Sequence, residues 1–356
     1  MHWGARLVAE NSSSAPRHAA VDLLGDPPTP ALRLDWADYE RRARAYAQNA
    51  RAPNTRRAYA SDVAHFTRWA QARGFAGLPC EPGIVLAYLI DEAARVSVAT
   101  LDRRLAALRE AHRTFGVELE TGRAAFREAW TGIRRAHRAR PKRKVPLRVE
   151  DLRQAVLSTP ETLTGWRDRA LLLVGFGGGL RRSELAGLTI GGDAASLSFV
   201  EGGLLVRLDA SKTDQGGRGQ EIAIPAGVHS ETCPVQALRR WLEEGRICEG
   251  SVFRGVDRWG GVSGEGISDR SVALIVKRAV FVAARSRGLG EAEAVALARQ
   301  FAGHSLRSGL ATAAAAADAP GHLIQRHLRH AKFDTTLAYI REGERFKKNA
   351  ATFAGL

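Results

Sequence analysis

The chain has 356 residues, 45% hydrophobic and 26% charged, an ordinary globular balance that excludes intrinsic disorder and collagen-like repeats. Its length predicts about two domains, and no apolar run approaches the ~18 residues of a membrane span; the longest, Ala170 to Leu180, is short and glycine-rich. Lys and Arg number 53 against 38 Asp and Glu, a net charge of +15, which suits a polyanionic partner better than an acidic or neutral one.

Residues 1–32 are rich in Ser, Pro and Ala without periodicity and read as a flexible leader. They hold no apolar signal region, so a cytoplasmic location is expected. From residue 33 to 133 apolar residues recur at three- and four-residue intervals over 35–49, 55–74, 82–95, 98–116 and 122–138, predicting a compact all-helical domain. Thr55 and Ser97 stand just before periodic runs and are expected to cap helices.

Residues 134–144 form a basic linker. It carries Arg134, Arg135, Arg138, Arg140, Lys142, Arg143 and Lys144, candidate contacts to a phosphate backbone. Residues 33–144 hold 23 Lys and Arg against 12 Asp and Glu. The positive field is thus focused on less than a third of the chain, which suits nucleic-acid binding, a merely soluble basic surface being the alternative.

A second domain is expected over 145–356, with helical patterns at 149–158, 165–176, 181–188, 234–246, 268–287, 304–317, 319–329 and 333–342. The stretch from Leu197 to Ala226 alternates in short runs broken by Gly-Gly and Asp-Gln-Gly-Gly, which predicts a small antiparallel sheet with Lys212 near a turn. Cys80, Cys233 and Cys248 are odd in number and lack close pairing. They make neither a disulfide framework nor a zinc site.

Three segments carry chemistry. In GGGLRRSELAGL a glycine turn runs into a helix opening with Arg181, Arg182, Ser183 and Glu184, a place where free N–H groups favour a phosphate. A nucleotide loop is a poor alternative, since a helical pattern precedes the glycines and no P-loop lysine comes after them. In GHSLRSGLATAAAAA, His304 and Arg307 share a helix face; a lipase-type elbow fails because Arg307 replaces its last glycine. In HLRHAKFDTTLAYIREGE, His330 lies nine residues before Tyr339, behind a turn-and-cap cluster of Asp334, Thr335 and Thr336. His327 and His330 share helical spacing, but no carboxylate or cysteine nearby completes a metal set. Taken singly, Tyr339 and Lys212 are ordinary surface or packing residues.

In order, however, the chain offers Arg-x-x-Glu, a turn lysine, His-x-x-Arg, a histidine and a tyrosine. This set resembles the tyrosine recombinase (phage integrase) family over nearly the whole chain. GLRRSEL matches its first arginine box, HSLRSGLAT its second, and the interval from His330 to Tyr339 the spacing to its nucleophile. The resemblance implies a mainly α fold with a small antiparallel sheet, in which a helical core-binding domain precedes an α+β catalytic domain. It further implies catalysis by Arg181, Lys212, His304, Arg307, His330 and Tyr339, with Glu184 orienting its basic neighbours. Arg181, not Arg182, aligns with the catalytic arginine. The family often has Leu-Gly-His where this chain has Leu328, Arg329 and His330.

The same resemblance implies site-specific cleavage and rejoining of double-stranded DNA at inverted-repeat core sites. The intermediates would be a 3′-phosphotyrosine and a Holliday junction, formed without metal or ATP. The working unit would be a homotetramer on two sites, associated with nucleoid DNA, and residues 344–356 fit an amphipathic closing helix given to a neighbouring subunit or packed on their own domain. A type IB topoisomerase or a catalytically silent DNA-binding protein are the alternatives. The intact Arg, Lys, His and Tyr set argues against the silent binder.

Overall fold

The structure, a computed structural model, describes residues 35–139, 144–193, 195–208 and 219–343. Residues 1–32, Arg140, Lys142, Arg143, Lys212 and the tail 344–356 lie outside the described residues. The chain divides into two compact units between Pro141 and Lys142.

The described residues of the first unit are all-helical in their regular structure. Its helices are α1 (Trp36–Asn49), α2 (Pro53–Gln71), α3 (Pro82–Ala93), α4 (Val98–Thr114) and α5 (Ala124–Ala136). Phe66 and Trp69 of α2, Tyr88 and Leu89 of α3, and Leu101, Leu105 and Leu108 of α4 supply one apolar core. The edge-to-face contact of Phe66 with Tyr88, centroids 5.2 Å apart, fixes the crossing of α2 on α3. Charges buried at the rim are paired, as burial demands: Arg103 forks onto Asp62 at 2.8 and 3.0 Å, and Arg104 reaches Glu92 at 2.6 Å.

The second unit contains α6 (Val149–Leu157), α7 (Leu163–Gly177), α8 (Arg182–Ala186), β1 (Thr189–Ile190), β2 (Leu197–Val200), β3 (Gly203–Leu208) and β4 (Gln220–Pro225). It continues with α9 (Pro234–Glu244), β5 (Gly250–Ser251), β6 (Arg254–Val256), β7 (Val262–Gly266), α10 (Asp269–Ser286), α11 (Glu291–Arg299), α12 (His304–Ala316), α13 (Gly321–Leu328) and α14 (Phe333–Gly343). Helix α7 is the spine. Its run Ala170–Val174 is buried on every face, packed against α9, α12 and α6, which explains an apolar stretch too short for a membrane. Among the described residues no helix is long and apolar enough to cross one. The sheet is antiparallel in the order β2-β3-β4, with Leu204 opposite Ile224 and Leu197 opposite Val206. β1 pairs β5, and β6 pairs β7, as two small ribbons.

Helix α12 approaches the segment before α6 so closely that a Cβ on Gly309 would collide with the Leu147 carbonyl oxygen. The absent side chain lets Leu147 donate its N–H to Ser305 O at 2.9 Å, which sets the height of His304 and Arg307 above the core.

Several expectations are corrected. Thr55 is not a helix cap: α2 begins at Pro53, whose ring supplies the helical φ, after an extended Ala52. Ser97 does cap α4, accepting the Thr100 N–H at 3.3 Å. Asp334, Thr335 and Thr336 lie inside the first turns of α14 and do not form a turn before it. Helix α11 and the strands β1, β5, β6 and β7 were not foreseen. The former is alanine-rich and weakly patterned, and the latter are two to five residues long and largely without alternation.

Candidate active site

Four loops and helix ends of the second unit converge on one cleft. Helix α7 stops at a glycine turn in which Gly179 takes a φ of +52°, and a Cβ there would strike Leu328 of α13 at 2.5 Å. Only glycine satisfies both demands. The turn delivers Arg181 to the start of α8 and aims the Gly179 carbonyl at α12.

Glu184, three residues on, accepts the Arg181 backbone N–H at 2.8 Å and its guanidinium at 2.5 Å. The carboxylate therefore closes the start of α8 and holds the Arg181 side chain at once. Arg182 leaves the cleft to pair with Asp269 at 3.1 Å, so of the two adjacent arginines it is Arg181 that lies beside Arg307.

Arg307 is 2% exposed. It donates to Gly179 O at 2.7 Å and to Leu328 O, which fixes its plane and leaves the rest of its five N–H donors for another acceptor. Burial, with Arg181 and Arg329 close by, pushes it down to about 10, and it stays charged at neutral pH.

His304, at the first position of α12, reaches the Tyr339 hydroxyl from Nε2 at 3.1 Å. The His330 ring stacks on the Tyr339 ring, centroids 5.8 Å apart and planes 16° apart. Its Nδ1 lies 2.9 Å from the hydroxyl of the buried Thr336. Burial, then the charges of Arg307 and Arg181 and the rings and cations around them, push His330 down to about 4. Its ring is neutral at pH 7.

In the DNA-free protein this depression makes stability depend on pH. The unfolded chain binds the His330 proton near pH 6.5, whereas the fold resists it until about pH 4. The unfolded state therefore holds more protons across this interval, and stability falls as pH is lowered through it. The thermal midpoint of the wild type is expected to drop more steeply from pH 6.5 to 4 than that of His330→Gln. Parallel curves would contradict the assignment.

The cleft beside the tyrosine has a volume of about 690 Å³ and is bordered by Lys144, His304, Ser308, Thr335 and Tyr339. Lys144, expected only as a linker cation, donates to Arg299 O at 2.7 Å on the rim of this cleft. Arg134 and Arg135 end α5, and Arg138 is exposed just after it; these three belong to the first unit.

Of the expected residues the structure brings together Arg181, Glu184, His304, Arg307, His330 and Tyr339; Lys212 lies outside the described residues. Three partners were missed from sequence. Thr336 fixes the His330 ring. His327 binds Gly177 O at 2.9 Å and pins the glycine turn. Arg329 ion-pairs Glu184 at 2.7 Å. The spacing of His327, one turn before His330, and the glycine-to-arginine departure at 329 were their only signals.

The family pattern described as "Phage integrase family" matches residues 147–345, and "Phage integrase, N-terminal SAM-like domain" matches residues 45–115. The chain is 37% identical over 313 residues to an "Integrase/recombinase xerD homolog" of Selenomonas ruminantium, covering 87% of each protein. It is 29% identical to a "Tyrosine recombinase XerC" of Pelotomaculum thermopropionicum, over 70% of this chain and 73% of that protein. Its fold is similar to that of the XerH site-specific recombinase bound to palindromic difH substrate in a post-cleavage complex. The TM-score is 0.53 at 17% identity, over 84% and 80% of the two chains. It is also similar to a lambda integrase (75–356) dimer bound to a COC′ core site, with a TM-score of 0.52 at 18% identity, over 88% and 97%. The arginine boxes, the His–Tyr pair and these likenesses agree: the chain belongs to the phage integrase family of tyrosine recombinases, enzymes that break and rejoin DNA.

Proposed function

We propose that this enzyme cleaves duplex DNA at inverted-repeat core sites through a 3′-phosphotyrosine on Tyr339 and exchanges strands by way of a Holliday junction. The observation that carries the reading is the 3.1 Å contact between His304 Nε2 and the Tyr339 hydroxyl, set beside two preorganised arginines.

In the cleavage step the Tyr339 oxygen attacks phosphorus, the bond to the 5′-oxygen breaks, and the phosphodiester energy is kept in the phosphotyrosine for rejoining. His304 takes the phenolic proton. Arg181 and Arg307 hold the non-bridging oxygens and offset charge as it develops there. His330, neutral at pH 7, donates from Nε2 to a phosphoryl oxygen, which makes its Nδ1 the acceptor of the Thr336 hydroxyl. Lys212, by the family resemblance, protonates the departing 5′-oxygen. Lys144 on the cleft rim, with Arg134, Arg135, Arg138, Arg140, Lys142 and Arg143, neutralises neighbouring phosphates. By the family resemblance the working unit is a homotetramer on two sites.

The test is covalent trapping. The wild-type protein is mixed with fragmented DNA from the genome that encodes it, quenched with detergent, and the protein-linked ends are sequenced. The reading expects adducts clustered at an inverted-repeat site. Scattered adducts would instead indicate relaxation without sequence choice, and DNA binding with no adducts a silent binder.

A further inference from the structure

Arg329 is a third arginine close to Arg307 and Arg181, at a place where the family pattern often has glycine. Its backbone shows why glycine suits the position: it ends α13 with φ +56° and ψ +45°, the left-handed region that a side chain disfavours. An arginine held there, 7% exposed, must be retained by its contacts. Those contacts lead to the groups that hold the catalytic arginines. Nη2 meets Glu184 Oε2 at 2.7 Å and faces Gly179 O at 3.5 Å, and Nη1 donates to His327 O at 3.1 Å. Glu184 is the carboxylate that grips Arg181 by both its backbone and its guanidinium. Gly179 O is the carbonyl that orients Arg307.

We propose that Arg329 is a positioning residue, which clamps Glu184 and the Gly179 carbonyl from behind and so holds Arg181 and Arg307 in register for one phosphate. The proposal rests on the catalytic reading of those two arginines. Glu184 alone cannot do this work as well. It is a single carboxylate with 11% of its side chain exposed, and the second guanidinium both shares its charge and blocks its rotation away from Arg181. Burial favours a protonated Glu184, yet Arg329 and Arg181 together hold its carboxyl below the usual carboxylate range. The clamp is thus charged and closed before DNA arrives. Arg329 spends its Nη contacts on Glu184, His327 and Gly179, while its buried Nε–H has no protein acceptor.

The test compares Arg329→Gly, which the left-handed backbone accepts without strain, with Arg329→Lys. On a duplex bearing the site recovered from wild-type adducts, Arg329→Gly is expected to slow single-turnover adduct formation by about 10²-fold, the usual cost of a misplaced reacting group. DNA affinity stays within about threefold, because the phosphate contacts of the remaining arginines and lysines persist. Arg329→Lys, which keeps the charge but not the fork, recovers part of the rate. Cleavage by Arg329→Gly at the wild-type rate would overturn the proposal, as would a loss of affinity that accounts for the whole rate defect.

A second readout needs no DNA. Titration of the Glu184 carboxyl by ¹³C NMR, assigned with Glu184→Gln, is expected to move upward in Arg329→Gly and back in Arg329→Lys. An unmoved titration overturns the clamp. If the wild type forms no adduct on any DNA, the catalytic reading fails, while this titration still decides whether Arg329 holds Glu184.

Discussion

Tyr339→Phe is expected to bind DNA with unchanged affinity and salt dependence, yet to form no covalent adduct. The substitution removes one oxygen and nothing else. The ring still stacks on His330 at the 5.8 Å centroid distance, and the apolar contacts of Tyr339 with the small cluster around Ile324 and Leu328 are shared by phenylalanine. The fold should therefore survive, with surface-like effects on stability of about 0.5 kcal/mol. Two neighbouring hydroxyls are already engaged: Thr336 is turned to His330 at 2.9 Å, and Ser308 donates back into its own helix to His304 O and Ser305 O. Gel shifts at several salt concentrations and a detergent-quenched adduct assay would check both halves. Adducts persisting in the variant at even a few per cent of the wild-type yield would mean that another residue is the nucleophile.

Arg307→Ala is expected to be the most damaging of the arginine substitutions. A preorganised donor at a developing negative charge is worth about 3–4 kcal/mol, or 10²–10³ in rate. Arg307 offers more than one such donor. It also satisfies Gly179 O and Leu328 O; without it Gly179 O keeps only the long 3.5 Å contact to Arg329, and leaving a buried carbonyl without a partner costs about 1–3 kcal/mol. The prediction is therefore a double one: adduct formation falls by at least about 10³-fold, and the thermal midpoint falls as well. Arg307→Lys separates the two effects. It restores a buried cation able to reach one carbonyl, so stability returns in part, but it cannot fork two donors onto a phosphate and the rate stays low. Arg181→Ala, whose side chain is 31% exposed and carries no backbone carbonyl, should lose rate with little change in the midpoint. If Arg307→Lys cleaved as fast as the wild type, the forked contact would have no part in the step.

Much of the site was legible because its chemistry is ordered along the chain. Arg181 with Glu184, and His304 with Arg307, are three residues apart, so local helix geometry alone puts each pair on one face. The nine residues from His330 to Tyr339 leave room for one tight turn and half a helix, and such a turn and half-helix lie between them. Helices α2 to α5, α9 and α10, whose apolar residues recur at helical intervals, were equally readable, and α7 showed as a continuous apolar run. What escaped depended on long-range packing. Nothing near Arg329 in sequence says that its partner is Glu184, 145 positions away. Nor does local pattern reveal that Lys144 borders the cleft of Tyr339, since that depends on Val145 donating to Gln300 O and Leu147 to Ser305 O. The ribbons β1–β5 and β6–β7 are too short to alternate, and their glycines read as loops. Helix α11, with alanine on four of its nine positions, buries little and so carries little hydrophobic signature.

The central claim is that Tyr339 attacks the scissile phosphate, and the most direct measurement is the location of the covalent bond. Adducts formed by the wild-type enzyme would be trapped in detergent, the DNA trimmed with nuclease, and the protein digested with trypsin for mass spectrometry. The account predicts a nucleotide attached to the peptide spanning residues 333–341, FDTTLAYIR, with fragmentation placing it on Tyr339 and linkage through the 3′-phosphate. A nucleotide on any other peptide, or a 5′-phosphate linkage, would contradict it.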